Sequence, residues 1–266
     1  MKPCFFCDLG QSRREIADLI LQNDESFSMY DAAPASPGHA LVTPKAHIKS
    51  IFDLKPGEFA RLREFSKATK EIVDNYDPDG YNIGVNEGKA AGQTVFHLHI
   101  HLIPRYEGDV VDPTGGIRNL FPQAVPPAQL PEGYFCDLAQ GKKEIPGLIL
   151  QNDEFFSMYD AAPARPGHAL VIPKKHIVSF FEDLELEYVA RLHEFSKATK
   201  EEIDKKHNPD GYNIGVNEGK AAGSNIDHLH IHLIPRYEGD VEYPRGGVRN
   251  LFPQIVPPAS LPEGYD

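Results

Sequence analysis

The chain repeats itself, and that constrains its fold more than any other feature. Ser28-Met29-Tyr30-Asp31-Ala32-Ala33-Pro34-Ala35 recurs as Ser157-Met158-Tyr159-Asp160-Ala161-Ala162-Pro163-Ala164, an offset of 129 residues. The offset grows to 130 at Arg61-Leu62 against Arg191-Leu192, and to 131 at Gly80 to Glu87 against Gly211 to Glu218. The second copy therefore carries two single-residue insertions, both beside predicted helix ends. A period of this length in two copies is too long and too few for a solenoid. Each copy is long enough to bury a core of its own, so the sequence predicts two domains, 1–132 and 133–266. The Pro-rich run from Phe121 to Pro131 joins them, and its counterpart runs from Phe252 to Pro262.

Each copy reads as an α+β unit. In the first, β-type runs fall at Leu19 to Gln22, Ser26 to Tyr30, Ala40 to Pro44, Tyr81 to Asn86 and His97 to Ile103. Between the third and fourth, Phe59, Leu62, Phe65, Thr69, Ile72, Val73 and Tyr76 recur at steps of three and four, which predicts an amphipathic helix from Pro56 to Tyr76. Asp77-Pro78-Asp79-Gly80 and Asn208-Pro209-Asp210-Gly211 then break the chain. Three strands, a helix and two strands with short links imply a largely antiparallel sheet with a helix on one face.

Ten of the twelve histidines occupy matched positions: His39, His47, His97, His99 and His101, then His168, His176, His228, His230 and His232. In Phe96-His97-Leu98-His99-Ile100-His101-Leu102-Ile103-Pro104 they alternate with apolar residues. On one strand the three imidazoles would share a face and Leu98, Ile100 and Leu102 would fill the other. Such a set either holds zinc with an open position or supplies an attacking imidazole with helpers. The loop Asn86-Glu87-Gly88-Lys89-Ala90-Ala91-Gly92-Gln93-Thr94, rich in donors for phosphate oxygens, favours attack on phosphorus.

These residues together resemble the histidine triad family, whose motif is His-φ-His-φ-His-φ-φ with φ apolar. The likeness extends through Met29-Tyr30-Asp31, the segment from Gly38 to His47, the Asn86 to Thr94 loop and the triad. It implies that His99 attacks the α-phosphorus of a nucleotide, giving a nucleotidyl-histidine that water then hydrolyses. It implies further that His101 bonds the leaving oxygen and that His39 supports the nucleophile from behind. Asp31 takes the ribose-binding position, and Asn86, Gln93 and Thr94 the phosphate-side positions. In the second copy His230, His232, His168, Asp160 and Asn217 match, while Ser224 and Asn225 replace Gln93 and Thr94, and Asp227 replaces Phe96. Family members pair as two-fold dimers in which two five-stranded sheets join. A tandem chain is therefore expected to form an intramolecular pseudo-dimer, a monomer with a ten-stranded sheet.

The implied activity is a hydrolase or nucleotidyl transferase acting on dinucleoside polyphosphates or nucleoside phosphoramidates. The alternatives are a phosphorylase that uses phosphate in place of water, and a zinc-containing nucleotide-binding module with little turnover. A structural zinc on Cys4, Cys7, His47 and His97 is implied by the same resemblance, and two thiolates with two imidazoles suit tetrahedral zinc. A redox Cys-x-x-Cys pair is the rival, without the preceding strand that a thioredoxin-like site needs. In the second copy Gly133 stands at the place of Cys4, so zinc is expected to be weak or absent there. Arg105, Arg118, Arg236 and Arg249 read either as contacts to a distal phosphate or as surface cations.

Composition bounds the partners. Asp plus Glu number 39 against 27 Lys plus Arg, a net charge of -12 that argues against binding DNA or RNA through the phosphate backbone. A small nucleotide needs only a local cluster of donors. With no long apolar stretch and no signal-peptide pattern at Met1 to Arg14, a cytoplasmic protein without membrane contact is expected.

Overall fold

The computed structural model describes residues 4–121, 126–182, 184–252, 260 and 265. Parts of both Pro-rich runs, 122–125 and most of 253–264, lie outside the described residues. The first half contains α1 (Phe5–Gly10), β1 (Leu19–Gln22), β2 (Ser26–Tyr30), β3 (Ala40–Pro44), α2 (Pro56–Val73), β4 (Gly80–Glu87) and β5 (Ile100–Arg105). The second repeats it as α3 (Tyr134–Ala139), β6 (Leu148–Gln151), β7 (Phe155–Tyr159), β8 (Ala169–Pro173), α4 (Leu186–His207), β9 (Gly211–Glu218) and β10 (Ile231–Arg236).

All the strands join one antiparallel sheet in the order β1-β2-β3-β5-β4-β9-β10-β8-β7-β6. The halves meet at β4 and β9, whose register centres on Gly84 opposite Gly215. A Cβ on Gly215 would lie 2.3 Å from the carbonyl oxygen of Ile83, so close strand approach at the seam excludes a side chain there. The expected ten-stranded pseudo-dimer is what the chain forms.

Period-two alternation assigns the faces. Ala40, Val42, Ile100 and Leu102 pack against α2 in the main core, while Leu41, Phe27 and Met29 pack on the opposite face against Phe6 and Leu9 of α1. Helix α2 begins at Pro56, with the Lys55 N–H donating to Glu58 Oε2 at 2.9 Å. It buries Phe59, Leu62, Phe65 and Val73, each worth roughly 1.5–3 kcal/mol. Tyr76, predicted within the buried stripe, is 44% exposed, because the chain tightens to a 3₁₀ turn at Asp74–Tyr76. Helix α4 continues instead to His207, where the second insertion falls.

Two matched positions differ where α2 and α4 pack across the seam. Arg63 donates to the carbonyls of Phe180 and Glu182, whereas His193 stacks on Phe59 at 4.4 Å and bonds the Leu54 carbonyl at 3.2 Å. Among the described residues no helix is long and apolar enough to cross a membrane.

Candidate active site

His99 precedes β5 rather than lying within it. The strand begins at Ile100, so the expected strand from His97 is shortened by three residues and the histidines do not all point one way. His97 turns toward Cys4 and Cys7, while His99 and His101 face a cavity that Asp31, Asn86 and Arg249 also line. His99 Nδ1 lies 2.7 Å from the carbonyl oxygen of His97. A carbonyl only accepts, so Nδ1 carries the proton and Nε2 keeps its lone pair. Burial holds His99 below the usual histidine range, leaving it neutral and nucleophilic at neutral pH. His230 repeats the arrangement, with its Nδ1 2.8 Å from the His228 carbonyl and its titration also lowered by burial.

The neighbouring protons follow from the same logic. The Ala35 N–H donates to His39 Nδ1 at 3.1 Å, so the proton of His39 sits on Nε2, which is 3.0 Å from His101 Nδ1. His101 therefore accepts at Nδ1 and carries its proton on Nε2. That atom is 3.4 Å from Asn86 Nδ2, itself a donor because Asn86 Oδ1 accepts the Val248 N–H at 2.8 Å and an Asn213 amide N–H at 2.8 Å. Two donors lie side by side without an acceptor between them, an arrangement that suits a phosphoryl oxygen. Burial lowers His39 to about 4 and His101 well below the ordinary value. The structure corrects one expectation: His39 braces His101, and His99 is held by its own backbone. In the second half His168, His232 and Asn217 form the same relay, with separations of 3.0 Å and 3.5 Å.

Other expected contacts divide. Asp31, Asn86 and Thr94 line the first cavity, and Asp160, Asn217 and Asn225 line the second. Gln93 does not reach in: its Oε1 accepts the Gly88 N–H at 2.9 Å and its amide donates to the Lys49 carbonyl, so it braces its own loop. Ser224 likewise bonds the Ile226 carbonyl at 3.2 Å. The four arginines are buried, and the surface reading is withdrawn for each. Arg105 and Arg236 form paired bonds to Asp109 and Asp240 and reach Asn82 and Asn213 at the seam. Arg118 and Arg249 enter the cavity of the opposite half.

Sequence reasoning missed α1 and α3. These short helices place Phe6 between the rings of His97 and His99, at 5.8 and 5.3 Å, and Phe135 in the same relation to His228 and His230. The signal was the aromatic pair just before each Cys, Phe5-Phe6 before Cys7 and Tyr134-Phe135 before Cys136.

Cys4, Cys7, His47 and His97 come together as expected. Sγ to Nδ1 separations of 3.2 to 3.5 Å match the edge of about 3.5 Å in a tetrahedron with Zn–S near 2.3 and Zn–N near 2.0 Å. His97 Nε2 bonds the Pro44 carbonyl at 2.8 Å, so Nδ1 presents a lone pair to the cysteines. Burial and the neighbouring Cys4 push the Cys7 thiol up to about 11, and a divalent cation would supply the charge its thiolate needs. The residues fit zinc. In the second half Cys136, His176 and His228 converge as a three-ligand cluster.

Comparison with known proteins gives three findings. The HIT domain family matches residues 13–108 and again 142–239. An uncharacterized HIT-like protein of Methanocaldococcus jannaschii is 41% identical over 121 residues, covering 44% of this chain and 89% of that protein. A bis(5'-adenosyl)-triphosphatase of Dictyostelium discoideum is 35% identical over 94 residues, covering 35% of this chain and 63% of that protein. Among solved structures, an ADP-glucose phosphorylase from Arabidopsis thaliana with bound ADP-glucose superposes with a TM-score of 0.63. It covers 88% of this chain and 80% of that one at 18% identity, a likeness of fold.

Proposed function

The chain belongs to the HIT family in both of its halves, and from that premise we propose that it transfers a nucleotidyl group from a phosphoanhydride or phosphoramidate through a covalent nucleotidyl-histidine on His99 or His230. The observation that carries this reading is the fixed tautomer of His99, with Nδ1–H on the His97 carbonyl and a neutral Nε2 left free. Nε2 attacks the α-phosphorus, a P–N bond to His99 forms, and the bond from phosphorus to the leaving group breaks, P–O in an anhydride and P–N in a phosphoramidate. The imidazolium that results is stabilised by the His97 carbonyl, while His101 Nε2–H and the Asn86 amide hold a phosphoryl oxygen. An acceptor oxygen then attacks phosphorus, the P–N bond breaks, and neutral His99 returns. Asp31 and Asp160 would receive the ribose hydroxyls.

Phosphate is the favoured acceptor. The fused two-half architecture that covers most of this chain recurs in a protein named as a phosphorylase. Water is the second reading, supported by the Dictyostelium triphosphatase, whose likeness is to a single half. With phosphate, diadenosine tetraphosphate should yield ADP; with water, AMP. Product analysis with and without phosphate separates the two, and binding without product would leave only the nucleotide-binding module. Zinc on Cys4, Cys7, His47 and His97 would pin α1, and with it Phe6, against the triad. Because the seam already pairs the halves, we read the working unit as one chain.

A further inference from the structure

The same short sequence closes each half: Gly115-Gly116-Ile117-Arg118-Asn119-Leu120 and Gly246-Gly247-Val248-Arg249-Asn250-Leu251. In the second, Gly246 and Gly247 have φ of +101° and +50°, and a Cβ on Gly247 would lie 2.0 Å from Asn86 Oδ1. The backbone therefore lies directly on the catalytic-side asparagine of the other half. This close approach lets the Val248 N–H bond Asn86 Oδ1, and the next residue turns into the cavity.

Arg249, 5% exposed, donates from Nη1 to Asp31 Oδ2 at 2.5 Å and from Nη2 to the Ala33 carbonyl. Asp31 Oδ1 accepts the Ala33 N–H at 2.9 Å. The mirror image holds for Arg118, which meets Asp160 Oδ2 at 2.5 Å and the Ala162 carbonyl, while the Ile117 N–H meets Asn217 Oδ1 at 3.0 Å. A guanidinium that grips both a carboxylate and a neighbouring carbonyl fixes the carboxylate's orientation, which a lysine cannot do. Among the described residues each carboxylate oxygen accepts from one hydrogen-bond donor, and a carboxylate oxygen can accept more than one bond, which leaves room for a ligand hydroxyl.

We propose that Arg249 and Arg118 are ribose-positioning residues acting across the seam. Each holds the carboxylate, Asp31 or Asp160, on which a nucleotide bound to the opposite half lays its 2′- and 3′-hydroxyls. Neither pocket is complete without the other half. This inference rests on the nucleotide reading above and adds that discrimination for ribose is set in trans.

Titration calorimetry of the full chain with AMP and 2′-deoxy-AMP tests it. The wild type should prefer AMP by about tenfold, and Arg118→Gln/Arg249→Gln should bring the two affinities to within about twofold, through loss of AMP binding. Arg118→Lys/Arg249→Lys keeps a cation beside each buried carboxylate, and so keeps the fold, but should restore little of the preference. In a His230→Ala chain, where turnover belongs to the first half, Arg249→Gln in the second half should raise KM about tenfold, more than it lowers kcat. Unchanged discrimination in folded variants, or equal loss for both nucleotides, overturns the inference alone. A wild-type chain that binds neither nucleotide overturns the nucleotide reading and this inference with it.

Discussion

The two halves share their strand order and site architecture, and within the site they keep the histidines and their partners while differing at the metal cluster and in the loop pair Gln93-Thr94 against Ser224-Asn225. The proposed nucleophile, the histidine relay beside it and the arginine from across the seam are the same in both: His99, His101, His39, Asn86 and Arg249 against His230, His232, His168, Asn217 and Arg118. The metal end is not. Four ligands converge in the first half and three in the second, where Gly133 takes the place of Cys4. On the proposed mechanism, both halves act on a phosphorus atom with the same set of groups. A cluster that only braces a helix tolerates a missing ligand, provided α3 holds by other contacts, as Phe135 and Leu138 packed on Phe156 and Met158 do.

The sharpest break of this comparison removes the nucleophiles. His99→Ala with His230→Ala should lower turnover by about a thousandfold or more, while either single variant retains the other half's share. Rates of the three variants on diadenosine tetraphosphate give the split directly; a single variant as dead as the double would mean that one half alone is active. Next comes the metal. Metal analysis after gel filtration should find one tightly held zinc per chain, and Cys7→Ser should weaken it by at least about a hundredfold. Gly133→Cys, in space where an added Cβ meets nothing within 4 Å, should add a second zinc, though at φ +72° the backbone opposes the change.

The smallest effect concerns what the halves share. Burial holds both His39 and His168 at about 4 in the fold, against about 6.5 in an unfolded chain. Between these values the unfolded state binds more protons, so stability present above pH about 6.5 is lost as pH falls toward 4. Thermal melts across that window should show a falling midpoint, with both halves melting in one transition because the sheet is continuous. Two separate acid transitions would show the halves to be less alike than their relays suggest.

Much of the site is legible in the sequence alone. Alternation of His99 and His101 with Ile100 and Leu102 needs only the strand period, and the repeat doubled every inference. The candidate metal ligands Cys4, Cys7, His47 and His97 are implied by the family resemblance, and the fold brings them within reach of one another. What could not be read were contacts between segments far apart. Arg249 and Asp31 are separated by 218 positions, and nothing local to Arg249 distinguishes a buried cross-seam contact from a surface cation. Gln93 failed differently: as a donor beside a glycine loop it satisfied the compositional rule, yet the nearest unsatisfied group was the loop's own Gly88 N–H. The strand predicted from His97 begins at Ile100 instead, because His97 obeys the alternation in sequence while its ring answers to the cysteines.

Fusion also frees the chain from a rule that binds self-paired subunits. Across a true two-fold axis every residue faces the same partner set twice, so a cation placed near the axis brings a second cation with it. Here Arg63 reaches over to the carbonyls of Phe180 and Glu182, and at the matched place stands His193, whose titration is lowered by burial. A guanidinium at one of two matched positions, set against an uncharged ring at the other, is an arrangement closed to a symmetric pair of identical chains and open to a fused one.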